Sequence, residues 1–304
     1  MPRLRLQKYG VLNIWKLEMK QLIKYILLLL IWLPPRTYAQ TSDDFKNHVE
    51  ILATFDGRKA GTDGCDKAAA YLIKTLESLN YKVEEQAFTY RGYNTKNILV
   101  TLGNGPEYIV AGAHYDGQNH YPSADDNASG TAVVLELAKS FKKVPAWRSV
   151  AFILFSGEED GLVGSKFYCN HPLLPRDKPD IKKHIFFINL DMVGHLNDSK
   201  TIREIDLDEL LIPLFAKYPF AQKVTLRSHN QDSDNFSFVQ KGVQAVFVHT
   251  GLNSIYHTPR DTPATLNYDG MVQIHAYVEE LIRTLAITCP DKLTETLNTL
   301  EYKP

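Results

Sequence analysis

The run Val150-Ala151-Phe152-Ile153-Leu154-Phe155 is apolar at every position and gives way at once to Ser156-Gly157-Glu158-Glu159-Asp160-Gly161. A run of that length without polar alternation reads as a strand buried on both faces, which demands a sheet with a layer above and a layer below. Residues 108–112 and 185–190 read the same way, and 243–248 as a further strand. Helical patterns lie between them. Ala69, Leu72, Ile73, Leu76 and Leu79 share one helical face with Lys74, Glu77 and Ser78 opposite, and Val133, Val134, Leu137, Ala138 and Phe141 repeat the spacing. Shorter helical signals cover Phe45, Val49 and Leu52, then residues 162–170, 207–218 and 270–287. Residues 83–90 and 97–102 read as additional strands. Strands alternating with helices imply an α/β fold, a sheet carrying helices on both faces. No repeat or low-complexity linker divides it, so residues 40–304 are expected to form a single domain.

The N-terminus differs in character. Lys20-Gln21-Leu22-Ile23-Lys24 is basic, residues 25–33 are apolar, and Thr37-Tyr38-Ala39 before Gln40 has the small-residue form of a cleavage site. The apolar run is well short of the roughly 20 residues that span a bilayer, so residues 1–39 are expected to be a secretory signal rather than a stable membrane span. Met19 is an alternative start. The expected location is periplasmic or secreted. Cys65, Cys169 and Cys289 allow at most one disulfide there. A formal net charge of −1, with no basic stripe interleaved with aromatics, excludes nucleic acid as a partner.

His114, Glu159 and Asp191 each fall at or just beyond the end of an apolar strand, and Asp126 and His257 add two more donors. Ligands bind at the carboxyl ends of strands in open α/β sheets. Imidazole and carboxylate donors in this mix suit zinc, with manganese or cobalt as substitutes. Five such groups exceed what one zinc takes from protein, so two metals sharing a carboxylate is the economical arrangement. By composition either Asp125 or Asp126 could be the shared one. Each group has an ordinary reading alone: Asp125, Asp126 and Asn127 could cap the helix near Ala128, and Glu158-Glu159 could be a solvated turn. His120, His195, His229 and His249 are read as structural, as are residues 232–236, a turn before the last strand.

Several segments together resemble the zinc aminopeptidases of the M28 type. They are His114-Tyr115-Asp116, Ala124-Asp125-Asp126-Asn127-Ala128-Ser129-Gly130, Glu158-Glu159 with Gly161-Leu162-Val163-Gly164-Ser165, Asn189-Leu190-Asp191-Met192, and Tyr256-His257-Thr258-Pro259 with Asp261-Thr262. Gly57-Arg58 and Ala60-Gly61-Thr62 also resemble that family, and the likeness runs from Leu52 to the last helix. The resemblance implies a central mixed, largely parallel sheet in a three-layer sandwich. It implies that His114 and Asp191 serve one zinc, Glu159 and His257 another, and that Asp126 bridges them. Glu158 becomes the general base, Asp116 the carboxylate behind His114, and Tyr256 a donor to the oxyanion. The implied substrates are peptides with a free N-terminus, cut by a water activated between two zinc ions about 3.5–4 Å apart. A one-zinc glutaminyl-peptide cyclotransferase and a metallo-carboxypeptidase of the same fold are the alternatives. Residue preference, expected to be set by loops 197–203 and 231–237, is not legible.

Overall fold

A computed structural model of the chain describes residues 40–55, 57–141, 148–196 and 233–287. The expected signal over residues 1–39 with Met19, the expected helix over 207–218, loop 197–203, His229 and Cys289 lie outside them.

The chain enters through α1 (Ser42–Ala53) and α2 (Asp63–Ser78), whose buried faces carry Phe45, Val49 and Leu52, and Ala68, Ala69, Leu72 and Leu76. A hairpin follows, β1 (Glu84–Tyr90) and β2 (Tyr93–Leu102), closed by the two residues Arg91 and Gly92. Both have positive φ, 46° and 88°, as the tightest hairpin turns require. The second strand starts four residues before the expected position. Tyr93, Asn94 and Thr95 are too polar to read as strand, but they pair across the hairpin with Tyr90, Thr89 and Phe88.

Then come β3 (Tyr108–His114), α3 (Gly130–Ser140), β4 (Ser149–Phe155), α4 (Val163–Asn170), β5 (His184–Leu190), α5 (Asn235–Val239), β6 (Gln244–Val248) and α6 (Tyr268–Ile287). The sheet order is β1-β2-β4-β3-β5-β6. β1, β2 and β4 are antiparallel neighbours, while β4, β3, β5 and β6 run parallel. The sheet is thus mixed, with a parallel centre, as expected. β3 and β4 are buried at every position, which explains their unbroken apolar sequence.

Alternate strand residues feed two cores. Ile109, Ala111, Val150, Phe152 and Ile188 pack with residues of α1, α2, α3 and α6. Val110, Ala151, Ile153, Phe155 and Phe187 pack with Tyr168 of α4 and Phe238 of α5. Helices therefore cover both faces, and the architecture is the expected three-layer α/β sandwich. Cys65 and Cys169 are buried free thiols. No helix among the described residues is long and apolar enough to cross a membrane.

His184, at the start of β5, is buried and makes the second core sensitive to acid. Its Nδ1 faces the carbonyls of Asp180 and Ile181 at 3.3 and 3.2 Å, so the neutral ring donates there and Nε2 accepts from the Tyr168 hydroxyl at 2.7 Å. Burial lowers the imidazole from its ordinary 6.5 to about 4. The unfolded chain therefore takes up this proton first as pH falls, so stability present above pH 6.5 is lost progressively towards pH 4. The loss from this ring is about 3 kcal/mol. Denaturant unfolding at pH 7 and pH 4 should register it, and His184→Gln should flatten the slope in that window. An identical slope in the variant removes His184 as the cause.

Candidate metal centre

Because β3, β4, β5 and β6 are parallel, their carboxyl ends open onto one edge of the sheet. His114 is the last residue of β3, Glu158 and Glu159 follow β4, and Asp191 follows β5. His257 lies beyond β6, and Asp126 precedes α3. The chain leaves β3 for β4 on one side and leaves β5 for β6 on the other, so the strand order reverses between β3 and β5, the kind of crevice in which α/β sheets bind ligands.

Two groups of donor atoms form there, His114 with Asp126 and Asp191, and Asp126 with Glu159 and His257, the atoms within each group lying within 4.8 Å of one another. Asp126 belongs to both. Its Oδ1 is 3.3 Å from His114 Nε2, and its Oδ2 is 2.9 Å from His257 Nε2. Asp191 Oδ1 lies 3.4 Å from the first imidazole and Glu159 Oε2 lies 3.2 Å from the second. Asp125 is turned away: Oδ1 accepts the Gly194 amide at 2.8 Å and Oδ2 the Asn253 side chain at 3.1 Å. The composition left the two aspartates undecided, and the backbone separates them. Non-helical torsions at Asp126 and Asn127 aim adjacent side chains in different directions.

Both ring nitrogens of His114, Glu159 Oε1 and Asp191 Oδ1 are buried without a hydrogen-bond partner. Leaving buried polar atoms unsatisfied costs ~1–3 kcal/mol each, and cations among these donors would satisfy them together. The electrostatics point the same way. Burial pulls the His114 imidazole down, yet Asp191, Glu158, Asp116 and Asp126 outweigh it and raise it well above its ordinary value. Hydrogen bonds to Asp126 and Glu159 push His257 up to about 10. Burial raises Asp126, but the two imidazoles more than reverse this and hold it below the usual carboxylate range. The cluster is an excess of negative charge, buried at His114 and open to solvent at His257, that draws protons onto its histidines, and divalent cations would compete for the same places.

Glu158 Oε2 stands 4.0 Å from His114 Nε2. Burial raises its carboxyl well above the ordinary value, Asp191, Asp234 and Asp116 add to this, and His114 opposes. A carboxylate so placed is suited to accept and return a proton. Tyr256 stacks on the His257 ring with centroids 3.7 Å apart and is 37% exposed at the rim.

The groups behind these residues account for their placement. Asp116 lies 3.5 Å from His114 Nδ1, and its two oxygens accept the amides of Glu158 and Glu159 at 3.2 and 3.3 Å. The expected partner of the histidine therefore also fixes the glutamate turn. Asp261 accepts the amides of Asp125 and Asp126. Asn127 does cap α3, its Oδ1 accepting the Gly130 amide at 2.9 Å, while its Nδ2 donates to the Leu190 carbonyl just before Asp191. A Cβ on Gly130 would lie 2.2 Å from that carbonyl, so only glycine lets α3 start so close to β5. The motifs quoted from the sequence contain Asp261 and Gly130 but give them no role. Ser233 and Asp234 belong to the turn expected over residues 232–236. Ser233 Oγ donates to Asp191 Oδ2 at 2.7 Å, and Asp234 is fully buried with neither carboxylate oxygen partnered. Their position beside the site comes from a fold-back that linear spacing does not encode.

A parallel sheet edge bearing two imidazoles, a carboxylate between them and a buried glutamate is a candidate metal centre with a group suited to move a proton. Residues 97–282 match peptidase family M28, and this chain is a member of that family. An aminopeptidase of Bacillus subtilis is 42% identical over 89 residues, 29% of this chain and 19% of that one, so the matched stretch is a small part of that protein. A probable leucine aminopeptidase of Arthroderma otae is 25% identical over 271 residues, 78% of this chain and 70% of that one. A zinc aminopeptidase from Bacillus subtilis is similar in structure, with a TM-score of 0.73 and 17% identity over 82% of this chain and 96% of that one. Porphyromonas gingivalis glutaminyl cyclase is similar at a TM-score of 0.70 and 18% identity, over 82% of this chain and 100% of that one.

Proposed function

We propose that this chain is an exported di-zinc aminopeptidase that releases N-terminal residues from peptides, with residues 40–304 as its single peptidase domain. The observation that carries the metal count is Asp126, whose two oxygens face different histidines. His114 and Asp191 would hold one zinc and Glu159 and His257 the other, with Asp126 between them. When bound, the two ions supply Lewis acidity and a water of lowered pKa.

The chain's own residues supply the rest. Glu158 takes the proton of the attacking water and returns it to the nitrogen of the leaving amine, a double role that its buried setting favours. Asp116 keeps that glutamate and its neighbour in place through their amides. Tyr256, held against His257, donates its hydroxyl to the oxyanion that develops on the scissile carbonyl. Burial, followed by the charges of Asp126 and Glu159, raises the Tyr256 hydroxyl above its ordinary value and keeps the donor proton in place.

Metal analysis of the purified chain, with hydrolysis of aminoacyl amides, N-acetylated controls and N-terminal glutaminyl peptides, tests this. The expected result is two zinc ions per chain and chelator-sensitive release of N-terminal residues, with blocked peptides left intact. One zinc with cyclisation of N-terminal glutamine moves the chain to the glutaminyl cyclotransferases, and release from the C-terminus moves it to the carboxypeptidases.

A further inference from the structure

Gln118 enters the site from the loop after β3, at a position that none of the quoted motifs covers. Facing a carboxylate, its side-chain amide must present the NH2 group. Nε2 donates to Glu159 Oε2 at 2.6 Å, leaving the buried Glu159 Oε1 without a partner. The Asp191 carboxylate carries Ser233 Oγ on Oδ2 while its buried, unpartnered Oδ1 faces His114; on Glu159 the oxygen that Gln118 engages, Oε2, is itself the one 3.2 Å from His257 Nε2. Each half of the centre thus has a carboxylate bonded by a neutral donor, and on the Glu159 side that donor bonds the very oxygen that faces the histidine.

The loop that carries Gln118 is itself built in. Arg58 is 1% exposed, and its guanidinium donates to the carbonyls of Tyr115, Leu52, Pro122 and Ser123 at 2.9, 3.1, 2.8 and 2.8 Å, pinning both ends of the loop. The Gln118 amide N–H donates to Ser123 Oγ at 3.2 Å, and Gly57 pairs with Asn119. A Cβ on Gly117 would meet the Ser123 side chain at 2.8 Å, so the chain comes this close only through glycine. A side-chain amide on such a loop is held where the backbone puts it.

We propose that Gln118 is a positioning residue for Glu159, and that it sets the metal affinity of the Glu159–His257 side of the centre without affecting the His114–Asp191 side. This rests on the two-metal reading above. Ser233 is its counterpart for Asp191.

Zinc titration against a competing chelator, with the metal-free protein checked for folding by circular dichroism, separates the two sides. Gln118→Leu should weaken one of two binding steps by ~10–100-fold and leave the other unchanged. Gln118→Met, of similar length but with no donor for Glu159, provides a second route to the same weakened step. In a His257→Ala background, where that side is already lost, Gln118→Leu should have no further effect, whereas in an Asp191→Asn background its effect should persist. Equal weakening of both steps, no weakening of either, or an effect that survives in His257→Ala overturns the assignment. A single zinc on the unaltered chain instead overturns the two-metal reading, and the assignment to one of two sides falls with it.

Discussion

In the proposed di-zinc centre, Glu158→Gln is expected to lower kcat by about 10²–10⁴-fold, the usual worth of a positioned general base, while both zinc ions stay bound. The substitution keeps the length and shape of the side chain and removes only its capacity to take a proton. The turn that carries it should survive, because Asp116 holds it through the backbone amides of residues 158 and 159, and these are unaffected by the change. The Glu158 carboxylate stands 4.0 Å from His114 Nε2, farther than the Asp126 and Asp191 oxygens at 3.3 and 3.4 Å, so it is the acidic group least committed to that imidazole. KM should change far less than kcat, since the loss falls on proton transfer and not on substrate binding. Steady-state kinetics beside metal analysis of the same preparation decides the matter. A variant that loses metal makes Glu158 a ligand, and one that keeps wild-type kcat gives the base to another group.

Much of this fold was legible because its central strands are buried on both faces. Residues 108–112, 150–155 and 185–190 have few polar positions, and the helices between them keep a helical period, so the alternation was plain. The polar opening of β2 was missed because its partner lies across a hairpin. The candidate ligand set was legible for a different reason. His114, Glu159 and Asp191 stand at or just past apolar strand ends, and a parallel sheet gathers such positions on one edge. Residues that orient the ligands are harder to read. Gln118 and Ser233 each act on a carboxylate through one hydrogen bond formed only when loops fold back on the strand ends, and a lone glutamine or serine in a polar loop has no spacing to betray it. Arg58 illustrates the limit from the other side: it belongs to a recognised segment, yet its role as a buried clamp on four carbonyls follows only from the folded chain.

Asp126→Asn is expected to cost both metals, and this separates it from every other single change in the ligand set. His114 and Asp191 meet only the first group of donors and Glu159 and His257 only the second, but Asp126 stands in both. Replacing one of its oxygens by an amide nitrogen removes the negative charge and leaves at most one of the two facing positions able to accept a cation. The remaining charges make the consequence general. With Asp126 neutral, the histidines lose the carboxylate that faces both of them, and each cation faces one anionic ligand fewer than before. The backbone need not move, since the amides of residues 125 and 126 remain bonded to Asp261. Zinc analysis should find less than one ion per chain in Asp126→Asn, against one in His257→Ala and one in Asp191→Asn, with hydrolysis reduced to the limit of detection in Asp126→Asn. Retention of one full zinc by Asp126→Asn would show that a single half of the centre holds its metal without the shared carboxylate, and the two sites would then be neighbours and not a bridged pair.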